Sequence, residues 1–426
     1  MKQNDSYKWR LLAILFIAFF LVMGTRQLYN AVLPQIKLEF AEKGISDAQF
    51  GMVGSVFTAT FGMLVLASGL AADFLGRKRV LVAGTLLFSA GVFCTGFAGG
   101  IAALVVFYGV MNAAGQCCIA PASYGLLSKY HAGTRATALA IFQAAVYSGV
   151  ILSSLFGGRV AELGEGAWKW TFWIMGGAGI AWASAMSLWL RPEPPLAGGQ
   201  RSCAAADGRP SLKDAFAAML KKPTAVLIAL AFGCFTYARM GLLLWIAVFM
   251  TRSFDGTGVA KAALHGVLWL NAGALASCLC VARLLDRLAA RRSRARLETT
   301  AAGMLLCAAP MIWVALSGSF TSCCAALLVL GISFGVYEAG NYPAMFDCIE
   351  PRYRSAATGI TGCLAFLLAS PAPAVLGWMG ERLSPRAGFV SLSGFYLAGF
   401  AMLAVALAFF FNKDFIDATA VGGGEK

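Results

Sequence analysis

Two arginines, Arg26 and Arg239, stand where arginine is costly, deep inside stretches that are otherwise apolar. A charge at the centre of a bilayer is tolerated only where it faces a wet cavity or a partner. The planar guanidinium donates two parallel hydrogen bonds, so a pair of them suits a carboxylate or a phosphate. The other use of such a residue is purely structural, tied to backbone carbonyls or to one carboxylate. The two arginines are 213 residues apart (239 − 26), and so are Asp73 and Asp286 (286 − 73). That equal spacing places them at equivalent points of an internal repeat. Glu338 is the carboxylate set deepest in an apolar stretch, in Gly335-Val-Tyr337-Glu338-Ala-Gly340-Asn341-Tyr342-Pro343. Three roles stay open for it: counter-ion to Arg239, counter-ion to Arg26, or proton carrier. Burial raises a carboxylate's pKa while a neighbouring arginine lowers it. Asn30 follows Arg26 by one helical turn on the same face. Asn112 and Gln116, and Gln143 and Tyr147, are also one turn apart, and either pair serves to line a cavity or to bond between helices. The candidate substrate-binding set is therefore Arg26, Asn30, Gln116, Gln143, Tyr147, Arg239, Glu338 and Asn341, with Glu338 as the proton-coupling candidate. His131 and His265 have no second ligand at metal spacing, and no cofactor or metal is expected. The twelve cysteines include adjacent pairs, Cys117–Cys118 and Cys323–Cys324, whose spacing suits packing rather than a CxxC site.

The elements that must position these residues follow from composition. Of 426 residues, 59% are hydrophobic and 13% charged, far from the balance of a soluble domain. Apolar spans are read at 11–36, 48–71, 79–98, 100–128, 134–158, 168–190, 222–250, 260–284, 297–316, 320–347, 355–380 and 387–411. Each is long enough to cross a bilayer, and a helix satisfies every backbone group within one segment. The expected fold is an all-α membrane protein of twelve transmembrane helices in two six-helix pseudo-symmetric bundles, residues 1–190 and 222–426. Between them, the Pro- and Gly-containing stretch 191–221 reads as a flexible cytoplasmic linker. Pro34 is expected to end or kink the first span. The net charge of +14 raises nucleic acid as a partner, but the basic residues sit in short connections between spans, the pattern that sets membrane topology. Clusters such as Arg77-Lys78-Arg79 and Arg291-Arg292 fall on the side of the N-terminus and of the even-to-odd connections. That side is expected to be cytoplasmic, with both termini there. Lys2 to Gly24 imitates a signal peptide but reads as an uncleaved first helix.

Between the second and third spans, Gly69-Leu-Ala-Ala-Asp73-Phe-Leu-Gly76-Arg77-Lys78-Arg79 resembles the signature loop of the major facilitator superfamily, and the likeness extends over essentially the whole chain. A related segment, Ala282-Arg-Leu-Leu-Asp286-Arg287, follows the eighth span. The resemblance implies a cytoplasmic gate built from Gly69, Asp73, Gly76, Arg77, Arg79 and Asp286, joined by Arg135 and Arg354 after the fourth and tenth spans. It also implies a chain that works as a monomer in a bacterial inner membrane. The departures are informative. Family antiporters carry an arginine early in the fourth helix and a Gly-Pro motif in the fifth; here those places hold Gly109 and Gly157-Gly158. Proton-driven drug efflux loses support accordingly. The anion:cation symporter branch uses a glutamate in the fourth helix, and that place holds Gln116, which does not titrate. Members of the organophosphate and organic-anion branches grip an anion with one arginine from the first helix and one from the seventh, as Arg26 and Arg239 are placed to do.

The reading is a secondary transporter of a small organic anion, a carboxylate or phosphate ester, with a proton or counter-anion as co-transported partner and the lipid bilayer as surroundings. A non-transporting sensor of the same fold and an efflux carrier for hydrophobic or cationic compounds are the alternatives. No catalytic motif is present in the context it requires.

Overall fold

The computed structural model describes residues 2–131, 134–191, 212–289, 291–350 and 353–416. Helix follows helix along the chain, and no strand occurs among the described residues. The first three long helices are α1 (Lys2–Glu39), α2 (Asp47–Leu75) and α3 (Arg77–Thr95). The fourth, α4, is assembled from Ile101–Leu104, a π-helical Val105–Asn112, Ala113–Gln116 and, after a turn at 117–118, Ile119–Tyr130. Then come α5 (Arg135–Ala161), α6 (Trp168–Trp189), α7 (Pro223–Ser253), α8 (Val259–Ala289), α9 (Ala295–Leu316) and α10 (Phe320–Phe346). Two pieces, Arg354–Ala369 and Ala372–Arg382, make α11, and Pro385–Val405 with its extension to Asp414 makes α12. Eleven of the twelve are long and apolar enough to cross a membrane. The twelfth is α6, 22 residues long, whose many tryptophans temper its hydropathy.

Local chemistry explains the joints. Ser46 caps α2, accepting from the Gln49 amide while the Gln49 side chain accepts from the Ser46 N–H, the reciprocal capping box. Between α2 and α3, Gly76 takes φ +88°, a conformation open to glycine at no steric cost. The break in α11 falls at Ser370 and Pro371, where the proline ring removes a backbone donor. Pro34 does not end the span, because α1 continues past it to Glu39. Composition suggested an unstructured connection over 191–221. Residues 192–211 of it lie outside the described residues, but Leu212–Leu220 is a short helix. Its Ala215 and Met219, one turn apart, are buried, and it packs on the first piece of α11.

Two compact units divide the chain. The first comprises Met1–Ser202 with Leu243–Val267 and Pro373–Glu381; the second comprises Cys203–Leu242, Leu268–Ala372 and Arg382–Lys426. In the first, α1 packs along α5 and α3 along α6. It also holds a charged cluster. Asp47 accepts from Lys37 and, at 3.1 Å, from Arg252, while the Asp47 N–H donates to Glu381. Lys37 lies over the Trp245 ring, whose Nε1 donates to the Pro373 carbonyl at 2.8 Å. In the second unit, α9 packs along α10 and α12, around an aromatic core of Phe235, Phe334, Tyr337 and Tyr396.

Candidate functional site

Each unit contains one of the two arginines, and each arginine is held by a side chain from a neighbouring helix. In the first unit, Arg26 of α1 donates through Nε to Gln116 Oε1 of α4 at 3.0 Å. Gln116 Nε2 donates to Thr25 Oγ1 at 3.2 Å and to Asn112 Oδ1 at 2.8 Å. Thr25 in turn donates to the Leu21 carbonyl. With both amide hydrogens used, the Gln116 carbonyl is fixed toward the arginine, and the network settles which end of the amide is which. The guanidinium carbon lies 4.4 Å from the Phe61 ring centroid and 5.3 Å from that of Phe57, within cation–π range. Phe57 and Phe61 are one turn apart on α2, so a single face of that helix supplies both rings. Below them, Tyr108 OH donates to the Arg26 carbonyl at 2.6 Å and stacks on Tyr29, whose own hydroxyl donates to the Phe50 carbonyl. Tyr108 and Asn112 both lie in the π-helical stretch of α4, a distortion that recurs at functional sites.

In the second unit, Arg239 of α7 donates through Nη1 to Glu338 Oε1 of α10 at 2.5 Å, and each side chain keeps 31% of its surface exposed. The guanidinium lies 5.9 Å from the Phe334 ring. Phe334 packs with Phe235 and Tyr396, and Tyr337 OH donates to Asn341 Oδ1 at 3.2 Å. Close helix approach places both partners. A side chain at Gly115, next to Gln116, would run into the backbone of Phe88 and Gly84 on α3. One at Gly303 of α9 would run into the backbone nitrogen of Tyr337, next to Glu338. Small residues are what allow helix backbones this near one another in a membrane.

Of the residues singled out in the sequence, the structure therefore joins Arg26 with Gln116 and Arg239 with Glu338. Asn341 is buried beside Tyr337. Asn30 donates to Gln27 at 3.2 Å. Gln143 is exposed on α5 and Tyr147, one turn on, is half-buried. At the start of α3, the Arg77 guanidinium packs over Gly125 of α4, where a Cβ would lie 2.6 Å from its Nε. Gly69 is half-buried within α2, and Arg79 is exposed. Arg354 donates to the carbonyls of Phe346 (2.9 Å) and Ile349 (3.3 Å), closing the C-terminal end of α10. Beside it, Asp347 accepts from Arg296 at 2.5 Å. Burial pushes the Asp347 carboxyl above its ordinary range, with Arg296 and Arg354 acting against that rise. The backbones of Asp73, Arg135 and Asp286 are helical, but their side chains lie outside the described residues. No group of three or more His, Cys, Asp or Glu residues able to hold a metal ion occurs among the described residues.

Sequence reasoning missed Thr25, Phe57, Phe61, Tyr108 and Phe334. A signal for three of them exists in retrospect. Tyr108, Asn112 and Gln116 repeat every four residues, and so do Phe57 and Phe61. In an apolar span an aromatic residue reads as packing, which hid the rings that support the arginines.

Residues 15–373 match the family model of the Major Facilitator Superfamily. The chain is 24% identical over 404 residues to a probable sulfoacetate transporter, SauU, of Cupriavidus necator, covering 90% of this chain and 89% of that one. It is 27% identical over 363 residues to the 3-(3-hydroxy-phenyl)propionate transporter of Escherichia coli, covering 82% and 83%. Among solved structures, a bacterial homologue of the human lysosomal transporter Spinster, crystallised in an inward-facing and occupied conformation, superposes with a TM-score of 0.79 at 20% identity. That match covers 97% of this chain and 99% of the other.

Proposed function

This chain belongs to the major facilitator superfamily, a multi-pass membrane transporter, and from that premise we propose that it carries a small organic anion by alternating access. Arg26 and Arg239 bind the anion. The observation that carries this reading is the recurrence of one arginine at the same point of each repeat, 213 residues apart (239 − 26), half-buried within a membrane span and laid against an aromatic face. An aromatic face holds a guanidinium without neutralising it, and a guanidinium in a low-dielectric setting attracts a carboxylate or phosphate far more strongly than in water. The two relatives point the same way, since sulfoacetate and hydroxyphenylpropionate are both small organic acids. Transport proceeds in a bacterial inner membrane with both termini cytoplasmic, a reading supported by the distribution of basic connections. The protein works as a monomer, with a proton or a counter-anion as the second partner and Glu338 as the group that takes the proton.

The test is ligand-dependent thermal stability of the purified protein against phosphorylated, carboxylated, sulfonated, neutral and cationic compounds. A ligand present at 100 times its dissociation constant stabilises the bound fold by about 2.7 kcal/mol. Stabilisation by certain anions, lost in Arg26→Ala and in Arg239→Ala, supports the reading. Equal stabilisation of wild type and both variants by neutral or cationic compounds removes it and favours an efflux carrier. Binding without flux of the same anion into liposomes assigns the chain to the sensors instead.

A further inference from the structure

The short helix Leu212–Leu220, which precedes α7, carries two apolar stripes. Ala215 and Met219 are buried, and the helix packs on the first piece of α11. Phe216 and Leu220, again one turn apart, are 44% and 57% exposed. Side chains four residues apart share a helix face, so this second stripe is continuous and lies on the exposed side. The chain itself bounds its distance from the bilayer. α7 begins at Pro223, and its 31 residues cover about 46 Å, the thickness of a bilayer with its headgroups. An untilted α7 therefore has Pro223 at headgroup level. From there back to Leu220 is three residues (223 − 220), a reach of about 10 Å at most. An exposed phenylalanine and leucine held at that level meet the boundary between headgroups and acyl chains, where an amphipathic helix lies in the plane of the membrane.

The same end of the second unit is basic. Lys221 follows Leu220 directly and is exposed. The segment 412–414 ties the start of α7 to the start of α9. Asp414 accepts from the Thr224 N–H at 2.9 Å and pairs with Lys222, while Asn412 accepts from Arg294 Nε at 3.0 Å. That tie brings Arg291, Arg292 and Arg294, all exposed, to the end of the unit that holds Lys221, and the exposed Lys413 belongs to the tying segment. The acidic residues at these helix ends are fewer. Asp214, Glu298 and Glu350 are among them, and Asp347 and Asp414 are engaged by Arg296 and Lys222. We propose that the helix Leu212–Leu220 is an interfacial anchor. Phe216 and Leu220 enter the bilayer at this end of the helices, and Lys221, Arg291, Arg292, Arg294 and Lys413 hold the headgroups of anionic phospholipids there. Guanidinium and ammonium groups bind a phosphodiester through charge-assisted hydrogen bonds, and each basic residue near an anionic surface strengthens attachment about fivefold. A zwitterionic headgroup carries a compensating positive charge and gains little from the cluster.

The experiment measures amide hydrogen exchange of the full-length protein in nanodiscs, made of phosphatidylcholine alone or of phosphatidylcholine mixed with phosphatidylglycerol. Exchange over residues 212–222 reports the local opening of this helix. With phosphatidylglycerol present it is expected to slow by about fivefold or more, and strong salt should abolish the difference. Phe216→Ser/Leu220→Ser should exchange in the mixed bilayer as fast as wild type does in phosphatidylcholine. Lys221→Gln/Arg291→Gln/Arg292→Gln should keep the wild-type rate in phosphatidylcholine and lose the response to phosphatidylglycerol. Equal rates for wild type in the two bilayers overturn the proposal, and so does a difference that survives strong salt or the loss of those three charges. It also fails if inorganic phosphate in phosphatidylcholine discs reproduces the slowing, which makes the cluster a site for a soluble anion. It fails again if the slowing occurs only in discs holding two copies of the chain, which makes the stripe a contact between copies. Where a variant does not fold, the wild-type comparison across lipid, salt and phosphate decides by itself.

Discussion

The two arginine sites solve one problem in two ways. Arg26 is held by a neutral amide within a network of Gln116, Thr25 and Asn112, and its guanidinium lies close over Phe61. Arg239 is held by a carboxylate, with one ring at longer range. In the first arrangement the amide fixes the direction of the guanidinium. The second compensates the charge within the unit and makes it conditional on the partner.

The largest effect expected from this difference concerns stability. Arg239→Ala strands the Glu338 carboxylate, whereas Arg26→Ala deprives the neutral Gln116 amide of a donor. Breaking one side of a buried ion pair costs about 3–5 kcal/mol, and leaving a neutral polar group without its partner about 1–3 kcal/mol. With both members of the pair about a third exposed, the lower end of the first range applies. Arg239→Ala should melt distinctly lower than Arg26→Ala in the absence of ligand, and Arg239→Ala/Glu338→Ala should recover part of the loss. Equal melting temperatures for the two single variants would remove the energetic basis of the comparison.

A similar, more local effect is expected at the close helix contacts. Gly115→Val and Gly303→Val each overpack an interface that has no room for a Cβ, costing about 1–3 kcal/mol. Each should also weaken anion binding, because the shifted helix carries Gln116 in one case and bears on Glu338 in the other. Wild-type binding in both variants would show that the arginine partners do not need this placement.

Smaller still is the contribution of the rings. Phe61→Leu removes a cation–π contact worth about 0.5–2 kcal/mol, while Phe334→Leu, at the longer distance, should cost the anion less. Affinities measured by titration calorimetry rank the two, and the reverse order would mean that Phe61 is packing alone. Smallest is Thr25→Val, which takes one acceptor from Gln116 and leaves its carbonyl less firmly aimed. The expected loss is about 1 kcal/mol, read as a modest fall in affinity for the anion.

Much of this molecule was legible from residue types alone. Apolar spans, basic connections and the loop Gly69 to Arg79 indicated the helices and the family, because hydropathy and charge act locally along a chain that must satisfy its backbone within each crossing. The equal spacing of Arg26 and Arg239 was also legible, since repeats preserve distance in sequence. What Glu338 does was not. Three roles stood open for it, and the structure sets it on Arg239, 99 residues away in the chain. Gln116 was recognised as a residue that does not titrate, but not as the holder of Arg26, 90 residues away. Neither pairing has a signature along the chain, because a hydrogen bond between helices depends on their rotation and approach. Those are decided by contacts such as Gly115 of α4 against α3 and Gly303 of α9 against α10. The sequence by itself determined which charges had to be inside; only the tertiary structure decided which groups face them, because helix packing fixes direction where composition fixes only depth.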